Sequence, residues 1–301
     1  MELKQSYDHD PSSFTRNEEC RRWTKETTSI VTGSNRGIGF AIAKKLAQFG
    51  LTVILTSRDP TKGEQALELL KSQGLGDYVH FYPLDISRPH SIFAFASWFN
   101  LNFGVLDILV NNAAVSFNGI HENSVEHAET VINTNYHGPK LLIESLLPFF
   151  RSSSSKSRIL NLTSRLGLTS NVRNPKTRAI LEDEENLNTD RIEEVVKSFL
   201  NHVKKGVWEK EGWPEIWTDY SVSKLALNAY SKLLAKELQN RNITVNCYCP
   251  GFTQTGMTGG KGSRTPDNAA NVAAKLALLP PHCLPTGEFF AGQSLNLRSR
   301  F

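Results

Sequence analysis

Short apolar runs that alternate with stretches of helical length constrain this chain more than any other feature of its sequence. Ser29-Ile30-Val31, Val53-Ile54-Leu55, residues 105–110, Arg158-Ile159-Leu160-Asn161-Leu162 and Ile243-Thr244-Val245-Asn246-Cys247 each read as a buried strand. Between the first of them, residues 41–49 and 64–72 have helical length and end at Gly50 and Gly74. Strands that alternate with helices imply a parallel sheet covered on both faces, because each crossover must return over one face of the sheet. The expected fold is therefore α/β, a Rossmann-type doubly wound parallel sheet. With 301 residues, 39% of them hydrophobic, residues 28–301 suffice for one such domain. Residues 1–27 are polar and mix acids with bases, which suggests a flexible tail and no signal or transit peptide.

One region breaks the alternation. Residues 168–219 hold a polar loop and then a helix whose apolar positions, Ile192, Val195, Val196, Phe199, Leu200 and Val203, follow the 3.6-residue period. Asp190 and Glu193 suit a capping arrangement at its start, and Gly206 can end it. This reads as a helical insertion on the sheet domain. Ser152 to Ser155 reads as a short flexible turn.

Composition excludes several classes of function. The formal charge of +4 is spread without a basic run, so no nucleic-acid partner is expected. No apolar stretch reaches the length of a membrane span. Cys20, Cys247, Cys249 and Cys283 have neither zinc-site spacing nor the density of a disulfide scaffold. Free thiols in the cytoplasm and no metal site are the expectation. The C-terminal Ser299-Arg300-Phe301 loosely resembles a Ser-Lys-Leu peroxisomal address and departs from it at the terminal Phe; the other reading is a plain disordered end.

The first strand runs directly into Thr32-Gly33-Ser34-Asn35-Arg36-Gly37-Ile38-Gly39 and then a helix. Glycines 33, 37 and 39 let the backbone turn tightly, let a pyrophosphate approach the helix N-terminus, and let helix and strand pack closely. Elsewhere such a cluster would be an ordinary turn; between a first strand and a first helix it reads as a dinucleotide site. At the end of the second strand stand Thr56-Ser57-Arg58 rather than a carboxylate, and Arg36 adds a second cation. Two guanidinium groups suit a 2′-phosphate, so NADP(H) is the expected cofactor. Asp59, followed by Pro60, is a better helix N-cap than a ribose ligand.

Tyr220 and Lys224 stand four apart in Tyr220-Ser221-Val222-Ser223-Lys224, which puts a phenol and an ammonium on one helix face. Most such pairs are ordinary surface residues. Where a fixed cation stabilises the phenolate, however, the phenol becomes an acid near neutral pH.

From residue 28 to residue 290 the chain resembles a short-chain dehydrogenase/reductase. The resemblance rests on Thr32-Gly33-x-x-x-Gly37-Ile38-Gly39, on Leu84-Asp85-Ile86, on Asn111-Asn112-Ala113, and on Pro250-Gly251-Phe252-Thr253-Gln254-Thr255. Ala114 stands where the third motif usually has Gly. The resemblance implies that Asp85 and Ile86 meet the adenine, that Asn112 and Ala113 flank the adenosine, and that Pro250, Thr253 and Thr255 close over the nicotinamide. It also implies a catalytic set of Asn135, Ser164, Tyr220 and Lys224, with Tyr220 and Lys224 touching the cofactor as well. Thr163 and Asn133 are the competing register choices; Ser164 is preferred for its distance to Gly167. In these roles Tyr220 is the general acid, Ser164 orients the substrate, Lys224 lowers the phenol pKa and holds the nicotinamide ribose, and Asn135 positions a water.

Ser164 and Tyr220 are 56 positions apart, far more than in most members of the family. The chain most resembles the plant carbonyl-reductase-like branch that includes menthone/neomenthol and salutaridine reductases, which carry a helical insertion here. Trp208, Trp213 and Trp217 cluster in this stretch, either anchoring the insertion or forming an apolar lid over a bulky ketone or aldehyde. A helix inserted there would cover the face through which many relatives tetramerise, so a monomer is expected. The expected function is NADPH-dependent reduction of a small-molecule carbonyl compound, such as a terpenoid or alkaloid ketone. An enzyme working mainly as an alcohol dehydrogenase and a non-catalytic NADP-binding sensor are the alternatives. A sensor would usually lack the tyrosine or the lysine that this chain keeps.

Overall fold

Successive side chains of a strand point to opposite faces, so a strand apolar at every position must be covered twice. β1 (Thr28–Val31) is buried throughout, and its neighbours Ile30 and Val31 enter two different core clusters on opposite sides of the sheet. The computed structural model describes residues 23–117, 124–151, 157–280, 285–292 and the backbone of 298–299. The expected Ser152–Ser155 turn, Cys20, Cys283, Arg300, Phe301 and most of the expected tail lie outside the described residues.

After β1 come α1 (Gly37–Gln48), β2 (Thr52–Ser57), α2 (Pro60–Leu70), β3 (Val79–Pro83), α3 (Pro89–Asn102) and β4 (Ile108–Asn111). The chain continues through α4 (Val125–Ile132), a π turn (Asn133–His137), α5 (Gly138–Leu146), β5 (Ser157–Leu162), α6 (Pro175–Glu182) and α7 (Thr189–Lys204). It closes with α8 (Thr218–Glu237), β6 (Ile243–Cys249), α9 (Pro266–Leu278), β7 (Phe289–Ala291) and β8 (Arg298–Ser299). The sheet order is β3-β2-β1-β4-β5-β6-β7-β8. β1 to β7 are parallel; β8 pairs antiparallel with β7, an edge that the sequence reading did not foresee. Because β1 lies between β2 and β4, the crossovers run outward in both directions and leave a crevice at the carboxyl ends of the central strands. Helices α1, α2 and α9 cover one face, and α3, α4, α5 and α8 the other.

Three expectations need correction. The third apolar run starts its strand only at Ile108, because the Asp107 carboxylate takes up the Thr28 amide at 2.9 Å and Arg151 Nε at 2.6 Å. The insertion contains two helices, not one. Asn174 caps the first, accepting from the amides of Lys176 and Thr177, with Pro175 at its first position. The second is capped by Asn188, which accepts from Arg191 N at 3.0 Å, and not by Asp190 with Glu193. Its stripe packs as expected: Ile192, Val195, Val196, Phe199 and Val203 are buried, at about 1.5–3 kcal/mol each for the larger side chains. Finally, the last residues of the expected tail are docked. Trp23 donates its indole N–H to Leu278 O at 2.9 Å and stacks under the Arg158 guanidinium at 4.6 Å.

Candidate active site

The glycine turn and the strand ends enclose a cleft of about 1060 Å³, large enough for a dinucleotide and a small molecule together. Gly33 and Gly37 have φ of +61° and +59°, a conformation that L side chains rarely adopt. Gly39 permits a closer approach: a Cβ there would stand 2.4 Å from Asn112 Nδ2. That amide donates to Thr32 O at 2.8 Å and to Gly33 O at 3.1 Å, tying the end of β4 to the turn. α1 begins without a side-chain cap and without an acid in its first turn, so its N-terminal N–H groups face the cleft beside Gly37 and Ile38. Such an end accepts an anion.

Asn35, Arg36, Arg58, Asp85, Ile86 and Ala113 also line the cleft. Arg36 and Arg58 are exposed and have no ion-pair partner among the described residues. Asp85 receives the Ser87 hydroxyl at 2.7 Å and faces Arg88 Nε at 3.4 Å. Asp59 caps α2 from Lys62 N at 3.1 Å, as expected. Pro250, Thr253 and Thr255 line the far wall, where Thr255 Cγ2 packs near Gly37. The buried Thr253 hydroxyl donates within its own loop, to Gly251 O at 3.2 Å.

α8 carries Tyr220 and Lys224 into the cleft, and Ser164, two residues past the end of β5, lines the same cleft from the turn that follows the strand. Gly167 lets these two elements meet, since a Cβ there would stand 2.5 Å from Leu225 N and from Lys224 C. Tyr220 Oη has no hydrogen-bond partner among the described residues. Burial pushes its phenol well above the ordinary range, and the neighbouring Cys249 adds to this. Burial also pulls the Lys224 ammonium down to about 8, against the influence of Cys247 and Cys249. The expected lowering of the phenol by Lys224 is not seen in this arrangement. Lys224 Nζ donates to Leu162 O at 2.9 Å and lies 5.5 Å from the centre of the Tyr220 ring, so burial prevails.

Asn135 does not line the cleft. It is fully buried in the π turn, where Oδ1 accepts from Val115 N at 2.8 Å and Nδ2 donates to Val115 O at 2.9 Å and Ser223 Oγ at 3.1 Å. Asn133, by contrast, points away to Ser87 O. Next to Asn135, Glu193 of α7 meets Tyr136 Oη, His137 Nε2 and Lys140 Nζ, each at 3.1 Å. Burial works to raise the Glu193 pKa, but hydrogen bonds from His137 and Lys140 outweigh it and hold the carboxyl at about 2.

The three tryptophans divide between the two expected roles. Trp213 is an anchor, buried against Phe199 with its N–H on His202 Nδ1 at 3.1 Å, and Trp208 packs on the same core. Trp217 lines the cleft, edge-on to Tyr220 at 5.9 Å between ring centres. Its backbone is left-handed, with φ 47° and ψ 58°, which costs about 1–2 kcal/mol for a residue with a side chain. Ile216 and Phe252, both about half exposed, complete an apolar mouth with Leu166 and Met257. The sequence reading assigned no role to Cys249 or Arg165, although Arg165 directly follows Ser164 and both line the cleft.

A family model described as short chain dehydrogenase matches residues 27–176 and 210–265, leaving out most of the insertion. The (+)-neomenthol dehydrogenase of Arabidopsis thaliana is 37% identical over 289 residues, covering 89% of this chain and 97% of that protein. Carbonyl reductase (NADPH) 1 of Mus musculus is 34% identical over 274 residues, covering 87% and 94% of the two chains. The solved structure of salutaridine reductase from Papaver somniferum superimposes with a TM-score of 0.82 at 34% identity, covering 88% of this chain and 99% of that one.

Proposed function

Since the chain belongs to the short-chain dehydrogenase family, we propose that it is an NADPH-dependent carbonyl reductase whose substrate is a bulky ketone or aldehyde of terpenoid or alkaloid type. The observation that carries this reading is the Tyr220 hydroxyl, without a hydrogen-bond partner among the described residues, in one cleft with Lys224, Ser164 and the glycine turn of α1. The residues fit a 2′-phosphorylated dinucleotide. The uncapped start of α1 would hold the pyrophosphate, Arg36 and Arg58 the 2′-phosphate, Asp85 and Ile86 the adenine, Asn112 and Ala113 the adenosine flank, and Pro250, Thr253 and Thr255 the nicotinamide end. The bound cofactor supplies the hydride.

Hydride arrival at the carbonyl carbon moves an electron pair onto oxygen. Tyr220 and Ser164 donate hydrogen bonds to that oxygen, and loss of one such donor commonly costs about a hundredfold or more in rate. The Tyr220 proton then passes to the oxygen and completes the alcohol. A phenol raised by burial still holds this proton at neutral pH, and with substrate and cofactor in place the Lys224 charge would favour the phenolate that the transfer leaves. Asn135 keeps the Val115 wall and the Ser223 turn of α8 in place, and a water held near it would return a proton from solvent through Lys224. Tyr220→Phe should abolish NADPH consumption while leaving NADPH binding, followed by fluorescence, nearly intact; retained turnover refutes the assignment.

The reading includes a monomer, because α7 packs on α4 and α8 and covers that face. It includes a cytoplasmic location, which the free thiols of Cys247 and Cys249 suit. Among the described residues no helix is long and apolar enough to cross a membrane, and no cluster of His, Cys, Asp or Glu could hold a metal ion.

A further inference from the structure

Building on the reductase reading, we propose that Arg165 binds a carboxylate on the substrate, so that the compound reduced is a bulky apolar ketone or aldehyde that also carries an acid group. Arg165 follows Ser164 directly, lines the cleft and is exposed, and its guanidinium has neither an ion pair nor a hydrogen bond among the described residues.

The turn that presents it is fixed on every side. Arg165 N donates to Cys249 Sγ at 3.3 Å, Asn171 Nδ2 holds Arg165 O at 2.8 Å and Leu166 O at 3.2 Å, and Gly167 is pressed against α8. Around it the mouth is apolar, built from Leu166, Ile216, Trp217 and Phe252. A planar guanidinium on such a rim matches a carboxylate with two parallel hydrogen bonds.

The charges elsewhere in the cleft do not compete for this role. Arg58 follows β2 and Asp85 follows β3, three and four strands from β5, so strand spacing alone puts them roughly 14 and 19 Å from the Arg165 turn. Both distances exceed the screening length of about 8 Å at physiological salt. Asp85 is the sole carboxylate among the described lining residues, and Ser87 and Arg88 already engage it. Of the remaining lining cations, Lys224 is buried on Leu162 O, and Arg36 belongs to the glycine turn, where it lies beside Gly256. The lining around Ser164 and Tyr220 therefore presents cations and no carboxylate of its own, which favours a carboxylate on the substrate and opposes a protonated amine.

The test uses ketones on three scaffolds, cyclohexanone, decalone and acetophenone, each as its carboxylate, methyl ester and aminomethyl derivative, with NADPH and the full chain. Wild-type protein should show a kcat/KM at least tenfold higher for the acid than for the ester on the best scaffold, with the amine last. In Arg165→Gln the acid-to-ester ratio should fall about tenfold, and Arg165→Lys should restore part of it. An ester equal to or better than the acid, an amine equal to the acid, or an unchanged ratio in Arg165→Gln overturns the proposal. A parallel measurement follows NADPH fluorescence as 4-cyclohexylbenzoate, which cannot be reduced, is added. Binding that is lost in Arg165→Gln, with no ketone reduced, would sustain the Arg165 site while refuting the reductase reading. Absence of both binding and turnover overturns the inference.

Discussion

Glu193 reaches from the insertion to three donors around the π turn, and replacing it by Gln tests whether that contact fastens the insertion to the site. The carboxyl side chain is 19% exposed, and its pKa falls from 4.5 to about 2 because the hydrogen bonds of His137 and Lys140 overcome the opposing effect of burial. At about 1.4 kcal/mol per pH unit, the ionised carboxylate stabilises the fold by about 3 kcal/mol at pH 7. A depressed carboxylate contributes fully above its unfolded value and loses that contribution as pH falls toward its folded one. The gap between wild type and Glu193→Gln should therefore shrink from about 3 kcal/mol at pH 7 to about 2 at pH 3.5. Urea unfolding of both proteins at pH 7, 5 and 3.5, with a common m-value, measures it. A gap below about 0.5 kcal/mol at pH 7, or one constant over this range, would refute the reasoning.

Arg58→Asp should reverse the preference for NADPH over NADH in steady-state kinetics, and an unchanged preference would remove Arg58 from the phosphate site. Lys224→Met should end turnover yet leave the Tm at pH 7 unchanged or higher. Burial lowers the folded pKa of Lys224 to about 8, so below that pH the charged form is a cost to the fold that Met removes, and the benefit fades as pH rises past 8. A loss of more than about 4 °C would contradict this. Gly167→Ala should destabilise by about 1–3 kcal/mol and lower kcat, because its Cβ would collide with the α8 backbone at Lys224 and Leu225. A thermal melt matching wild type would count against that close approach.

Signals confined to neighbouring positions were legible in the sequence. The alternating runs gave the sheet, the glycine spacing gave the turn at Gly33 and Gly37, and Asp59-Pro60 gave the start of α2. Asn174-Pro175 carries the same kind of signal at the start of α6, a helix whose eight residues are too short and too polar for its period to stand out. What could not be read depends on partners far along the chain. Glu193 looks like a helix-capping acid until the fold brings Lys140 to it across 53 positions. Trp213 and Trp217 are the same residue four apart, yet one fills the core and the other faces Tyr220, because the left-handed turn at Trp217 redirects the chain. The Tyr220 and Lys224 pair was visible by spacing, whereas its electrostatics followed from burial, which spacing does not encode.

The π turn at Asn133–His137 gives this helical segment one residue more than an α-helix would use, and the excess is taken up locally, so α4 and α5 stay in phase on either side of it. Deleting one residue of the turn would let the segment close into a regular helix with Val131 and Ile132 still in the core. The loss would fall on the turn itself: with one position fewer, Asn135 on Val115 and Ser223 and Tyr136 and His137 on Glu193 could not all keep their places. The surplus residue is thus what lets a single helical rod serve the cleft wall on one side and the insertion on the other.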